Sequence, residues 1–218
     1  MSETLTITLR IAAVTIVALV PLINPAGTAP IFLSLTNGVS DRARATLAVR
    51  IARNAFVLLA AATLGGSAVL RVFGLSLAEI RIAGGLLVIA TAWHLMHTDQ
   101  RPDAAITALS RRDANELTHA TFYPLTFPVT IGPGSLAITV TLGAAGKETA
   151  RVATLLGAIA GIVVVSCTIY LCYRFVARAA QLLGDAGTLV IFRLSAFILL
   201  AVGMKILLDG LVERFTAG

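Results

Sequence analysis

The decapeptide PLINPAGTAP occupies residues 21–30, and PLTFPVTIGP occupies residues 124–133. Both read P-L-x-x-P-x-x-x-x-P, and together they hold six of the seven prolines. Each lies in a long apolar run: no charged side chain occurs between Arg10 and Asp41, or between Glu116 and Lys147. Proline removes a backbone donor, clashes with the carbonyl four residues back and pushes the preceding residue out of helical conformation. Three prolines in ten residues, beside Gly27 in one copy and within Gly132-Pro133-Gly134 in the other, predict that each run is broken into two half-helices.

Working outward, the chain reads as an integral membrane protein. Of 218 residues, 57% are hydrophobic and 13% charged, whereas soluble domains carry about a quarter charged residues. A third charge-free run separates Arg151 from Arg174. Backbone polar groups in a bilayer must be satisfied within the span, and apolar runs without strict alternation point to helices rather than a barrel. Six spans are expected: about 5–35, 54–72, 77–97, 119–143, 152–173 and 188–211. The N-terminus, acidic at Glu3 and first basic at Arg10, does not suit a cleaved signal peptide.

The repeated proline motif divides six spans into three plus three. An odd number of spans per repeat makes the second copy enter from the opposite side, an inverted-topology repeat. Repeat one covers about 5–97, a cytoplasmic loop about 98–118 and repeat two about 119–212, in one membrane domain spanning 1–218. A lone arginine opening the third span (Arg81) and the sixth (Arg193) echoes the repeat. Loops on one side carry nine bases, among them Arg42, Arg44, Arg111 and Arg178; the termini and remaining loops carry five. The base-rich side is expected to be cytoplasmic, with both termini periplasmic. The net charge of +6 is thereby explained without nucleic acid.

Bare backbone at membrane depth is tolerated where it is buried in protein or lines a cavity. Asn24 suits an N-cap, and Pro25 the first position of the helix after it. Amides and dipole at a helix N-terminus favour an anion. The expected site is therefore Asn24, Pro25, Ala26, Gly27 and Thr28 facing Thr130, Gly132, Pro133, Gly134 and Ser135. A substrate carboxylate would lie at the two N-termini, and its ammonium on hydroxyls and open carbonyls. Thr28, Ser34, Thr126, Thr130, Ser135 and Thr139 supply the hydroxyls; their competing role is to re-satisfy carbonyls freed at the breaks. Arg81 and Arg193 either attract anions at opposite entrances or reach the interface as structural charges. Lys205 and Asp209 form an i,i+4 pair in the last span.

LINPAGTAPIFLSLT (Leu22 to Thr36), FGLSLAEIRIAGGLL (Phe73 to Leu87) and PLTFPVTIGPGSLA (Pro124 to Ala137) resemble the MarC family of bacterial inner-membrane proteins. The resemblance runs from the first span to ILLDGL at residues 206–211. It implies six spans, outward termini and, for some members, uptake of small neutral amino acids such as glycine and alanine, with coupling to H+ or Na+ left open. The chain departs from the family's Arg-hydrophobic-Met-Gly pattern at Arg193-Leu194-Ser195-Ala196-Phe197.

The expected function is a secondary transporter working by alternating access in the bacterial inner membrane. The alternatives are an exporter or channel for another small solute, or a scaffold without transport. No Walker sequence or hydrolase constellation is present, so an enzyme is not expected. No cofactor or metal is expected: His94 and His97 lack a third ligand, and Cys167 and Cys172 point to different helix faces. Partners are a small-molecule substrate and the bilayer, with homo-oligomerisation left open. Gly157 and Gly161 on the fifth span are read as close-contact points within the bundle.

Overall fold

Ser40, Gly74 and Ser76 set the boundaries of two long helices. In a computed structural model describing residues 2–36, 38–97, 121–144 and 150–216, the Ser40 hydroxyl accepts from the Ala43 amide at 3.3 Å and starts helix α3, Asp41–Phe73. Gly74, at φ 65°, ends it in the left-handed region where glycine carries no steric cost. Helix α4, Leu77–His97, begins with a capping box: the Ser76 amide donates to Glu79 at 2.7 Å, and the Glu79 amide to the Ser76 hydroxyl at 3.3 Å. Before them come α1, Ser2–Ile23, and α2, Pro25–Leu35. After them come α5, Thr121–Thr130, and α6, Pro133–Ala144. Helices α7, Arg151–Gly184, and α8, Leu189–Thr216, complete the chain. Between them Gly184 leaves helical geometry at φ 64°, ψ −179°.

Five of these helices are long and apolar enough to cross a membrane, and the bent pair α5 and α6 makes a sixth candidate span. The described residues contain no strand. The outer surface is apolar, with Val72 82% and Val17 73% exposed, which suits lipid rather than water. Inside, Leu19, Phe32, Ile51, Leu125, Ile162 and Tyr173 belong to one buried cluster contributed by α1, α2, α3, α5 and α7.

Glycines bring the helices close. Added Cβ atoms on Gly157 and Gly161 would meet Thr8 and Thr15 of α1 at 2.5 and 2.6 Å. A Cβ added at Gly66 of α3 would meet Val140 of α6 at 2.6 Å, and one at Gly143 of α6 would strike the Thr63 carbonyl. Gly85 meets Leu207, Gly203 meets Val88 and Ile89, and Gly210 meets Arg81 and Ile82. Those last three contacts run in opposite order along α4 and α8, so these two helices are antiparallel. Small residues at such crossings allow the close approach on which membrane helix association depends.

Several expected boundaries move. The second span is the 33-residue α3, starting at Asp41 rather than near Asn54. At 1.5 Å per residue it is about 50 Å long, well beyond a hydrocarbon core of about 30 Å. Arg42, Arg44, Arg50 and Arg53 therefore lie on its first turns, not in a loop. Arg44 closes the turn behind α2, donating to the Thr36 hydroxyl and carbonyl at 3.1 Å each and to the Val39 carbonyl at 3.2 Å. The fifth span continues eleven residues past Tyr173, to Gly184. Arg174 and Arg178, expected in the loop after it, are part of the helix and lie 5.8 Å from the Phe175 ring. The expected cytoplasmic loop, about 98–118, falls outside the described residues.

Candidate functional site

The two proline segments break the chain in different ways. At the first, α1 is already a full-length span of 22 residues, and Pro21 is accommodated inside it. The break falls after it, at Asn24, whose φ of 49° and ψ of 58° are left-handed. Asparagine tolerates that region better than most side chains. Its Oδ1 accepts from the Gly27 amide at 3.1 Å, and Pro25 follows as the first helical residue of α2. The first decapeptide thus ends one span and starts an eleven-residue helix, instead of halving a single span.

At the second break, Tyr123 (φ −118°, ψ 123°) and Phe127 (φ −121°, ψ 127°) are extended. Each directly precedes a proline, and proline forces this conformation on its predecessor. The segment is wound in wide turns: the Ile131 amide donates to Thr126 O at 2.7 Å, five residues back. The threonine hydroxyls do the same, Thr126 to Thr121 O at 2.8 Å and Thr130 to Leu125 O at 2.7 Å. Helix α6 then leaves at 78° to α5.

The expected hydroxyl cluster is therefore mostly spent on backbone. Thr28 donates to Asn24 O at 3.1 Å, Ser34 to Ile31 O at 2.8 Å and Ser135 to Gly132 O at 2.7 Å. Thr139 donates to Ser135 O at 2.5 Å. Each hydroxyl has one hydrogen, so these groups face any further partner with lone pairs. The α2 N-terminus is also less open than expected: Pro25 has no N–H, and the Gly27 amide is taken by Asn24.

The breaks nevertheless meet. Tyr173 of α7 reaches Thr28 Oγ1 at 3.0 Å and Thr130 Oγ1 at 2.9 Å. Its ring stacks on Phe32 with centroids 4.5 Å apart. Tyr173 is 1% and Thr130 2% exposed, so their contact is closed to solvent, while Thr28 is half-buried. It is also short of hydrogen. Thr28, Thr130 and Tyr173 carry three hydroxyl hydrogens, while Asn24 O, Leu125 O and the two Tyr173–threonine contacts call for four.

The other expected site residues are dispersed. Pro25 and Gly27 are buried, and an added Cβ at Gly27 would strike the Asn24 amide. Gly132 is half-buried, with nothing within 4 Å of an added Cβ. Pro133 is exposed, and Gly134 is buried against Val88 of α4. Ala26 is exposed and lines a cavity of about 220 Å³ with Ala29, Pro30, Cys172, Val176 and Ala179. That cavity runs along apolar residues and does not include the hydroxyl junction.

Arg81 is half-buried and paired with Glu213 at 2.6 Å. Arg193 is exposed near the start of α8, at the opposite end of the antiparallel α4–α8 pair from Arg81. Lys205 and Asp209 pair at 2.9 Å, as their spacing predicts. Tyr173 and Glu213 were missed in the sequence. A tyrosine at what reads as a span end is ordinarily explained by the interface, and only continuation of the helix places Tyr173 in the interior.

The chain matches the model of the family described as MarC family integral membrane protein over residues 9–215. It is 27% identical to the UPF0056 membrane protein YvbG of Bacillus subtilis, over 88% of this chain and 90% of that protein. It is 26% identical to the UPF0056 inner membrane protein MarC of Escherichia coli, over 91% and 92%. A UPF0056 membrane protein of Buchnera aphidicola is 27% identical over 92% of each chain. No solved structure matches the chain.

Proposed function

The chain belongs to the MarC family of integral membrane proteins, and from that premise we propose that it is a secondary transporter of small neutral amino acids. The observation that carries this reading is the Thr28–Tyr173–Thr130 junction, where two proline-broken segments a hundred residues apart meet in the interior. Broken helices meeting at depth form substrate sites in several transporter folds. The junction's deficit of one hydrogen suits a donor, and the ammonium of an amino acid is one. The carboxylate would lie toward the α6 N-terminus, where Gly132 borders open space.

The rest of the reading follows the same logic. Two inverted repeats would exchange α2 with α6 and α7 with α3. The contact of α2 with α7 through Phe32 and Tyr173 would then correspond to that of α6 with α3 through Gly143 and Thr63. The antiparallel α4–α8 pair would lie on the axis. Transport would occur across the inner membrane, where relatives are named, with both termini periplasmic and no catalytic activity. Coupling would be to H+ or Na+.

Alternating access requires the junction to open, because the observed arrangement is closed. That closure favours a second reading, a membrane scaffold whose breaks are permanently packed shut. Uptake of labelled glycine and alanine into proteoliposomes, with and without an imposed H+ or Na+ gradient, separates the two. A transporter gives saturable uptake that responds to one gradient; a scaffold gives none from folded, inserted protein.

A further inference from the structure

A groove of about 600 Å³ lies between α1, α4, α6 and α8, away from the hydroxyl junction. Its walls are mainly aliphatic, including Val14, Val17, Ile138, Leu142, Val202 and Ile206. It also holds Arg81, Lys205 and Asp209. Lys205, Asp209 and Glu213 recur at four-residue intervals, so they share one face of α8. Their side chains are not withdrawn into the protein: Lys205 is 75% and Asp209 53% exposed. Lys205 is eight residues from Glu213, about 12 Å along the helix, on a surface otherwise suited to lipid. A charged side chain at membrane depth that faces a cavity is a functional-site hypothesis by default.

The charges specify the occupant. Along the groove stand two ion pairs, Lys205 with Asp209 at 2.9 Å and Arg81 with Glu213 at 2.6 Å. The set is electrically neutral. A simple anion would meet two carboxylates, and a simple cation two bases, while a zwitterion satisfies both. The open side is bordered by Val17, 73% exposed, and Val14, 45% exposed, so the groove is reached from the bilayer. Its length of aliphatic wall exceeds what glycine or alanine would cover.

We propose that this groove is a binding site for a phospholipid with a zwitterionic, N–H-bearing headgroup of the phosphatidylethanolamine type. The lipid ammonium donates to the Asp209 carboxylate. The phosphate accepts from Lys205 and Arg81, and an acyl chain lies along Val14, Val17, Val202 and Ile206. This site is independent of the transport reading and needs only the membrane-spanning fold.

The test is native mass spectrometry of the purified full-length chain in mild detergent, with phosphatidylethanolamine, phosphatidylcholine and phosphatidylglycerol of equal chain length. Phosphatidylethanolamine adducts should survive at least tenfold lower lipid concentration than those of the other two. The double variant Lys205→Gln/Asp209→Asn removes both charges together and should abolish that preference. Ala18→Trp fills the groove without changing its charge and should lower retention of all three lipids. Equal retention of the three lipids by the unaltered chain, a preference unchanged in the double variant, or undiminished retention by Ala18→Trp would overturn the proposal. Saturable binding of alanine at this groove without a phosphatidylethanolamine preference would overturn it in favour of a small zwitterion.

Discussion

The phenol of Tyr173 donates to the hydroxyl of Thr28 at 3.0 Å, across 145 residues of sequence. The same oxygen lies 2.9 Å from Thr130. One side chain of α7 therefore ties together the two places where proline interrupts the apolar chain. Both threonines keep a carbonyl partner of their own, Asn24 O for Thr28 and Leu125 O for Thr130.

Tyr173→Phe should leave a folded protein for that reason. The ring keeps its stack on Phe32, and each threonine keeps its carbonyl. The expected loss is about 1 kcal/mol, the net worth of an ordinary hydrogen bond, measured by denaturant titration in detergent. Amino acid uptake should fall by more than that stability loss accounts for, since the variant removes the group that links the breaks. Wild-type uptake by Tyr173→Phe would remove the junction from the mechanism.

Asn24 has two duties, a left-handed backbone and a cap on the Gly27 amide. Asn24→Ala loses both, and a lost N-cap alone costs about 1 kcal/mol. Asn24→Gly restores the backbone freedom and should be the milder change. Thermal unfolding of the two variants checks the order; equal destabilisation would mean that the left-handed φ is unimportant.

Gly27 and Gly132 look alike in sequence, each within two residues of a proline in an apolar run, but they differ in space. A side chain at Gly27 collides with the Asn24 amide, while one at Gly132 meets nothing within 4 Å. Gly27→Ala should therefore lower stability by displacing the cap. Gly132→Val should fold and insert normally while blocking transport, because it fills open space beside the break. Unfolding midpoints and uptake, measured on the same preparations, separate these effects.

The adjacent glycines of α3 give a control for helix contact. A Cβ added at Gly66 would meet Val140 at 2.6 Å, and one added at Gly65 would meet nothing within 4 Å. Gly65→Ala should be neutral or stabilising by up to about 1 kcal/mol, the helix preference of alanine over glycine. Gly66→Ala should be destabilising, because Val140 must move. A reversed order would contradict the described α3–α6 contact.

Much of this fold is legible in residue chemistry. The proline decapeptides mark both breaks, Asn24-Pro25 announces the start of α2, and the third span is read at its observed bounds. Glu79 sits two residues from Arg81, off its face, and pairs instead with the Ser76 turn while Arg81 finds Glu213. What stays hidden is tertiary. Nothing local tells that α7 continues beyond Arg174, so Tyr173 reads as the last residue of its span rather than the link between breaks. Nor does spacing reveal how far the hydroxyls are committed, because a threonine that binds its own carbonyl has the same sequence signature as one awaiting a ligand. The asymmetry of the breaks is likewise invisible: Pro21 reads as a helix breaker but is absorbed within α1.

The most direct test of the central claim, that the two breaks form one transport site, is uptake of labelled alanine and glycine into proteoliposomes under an imposed H+ or Na+ gradient. The wild-type chain and Gly132→Val should be measured side by side, with insertion verified for both. The account predicts saturable, gradient-dependent uptake by the wild type and none by Gly132→Val. Equal uptake by the two proteins, or none by inserted wild type under either gradient, would contradict it.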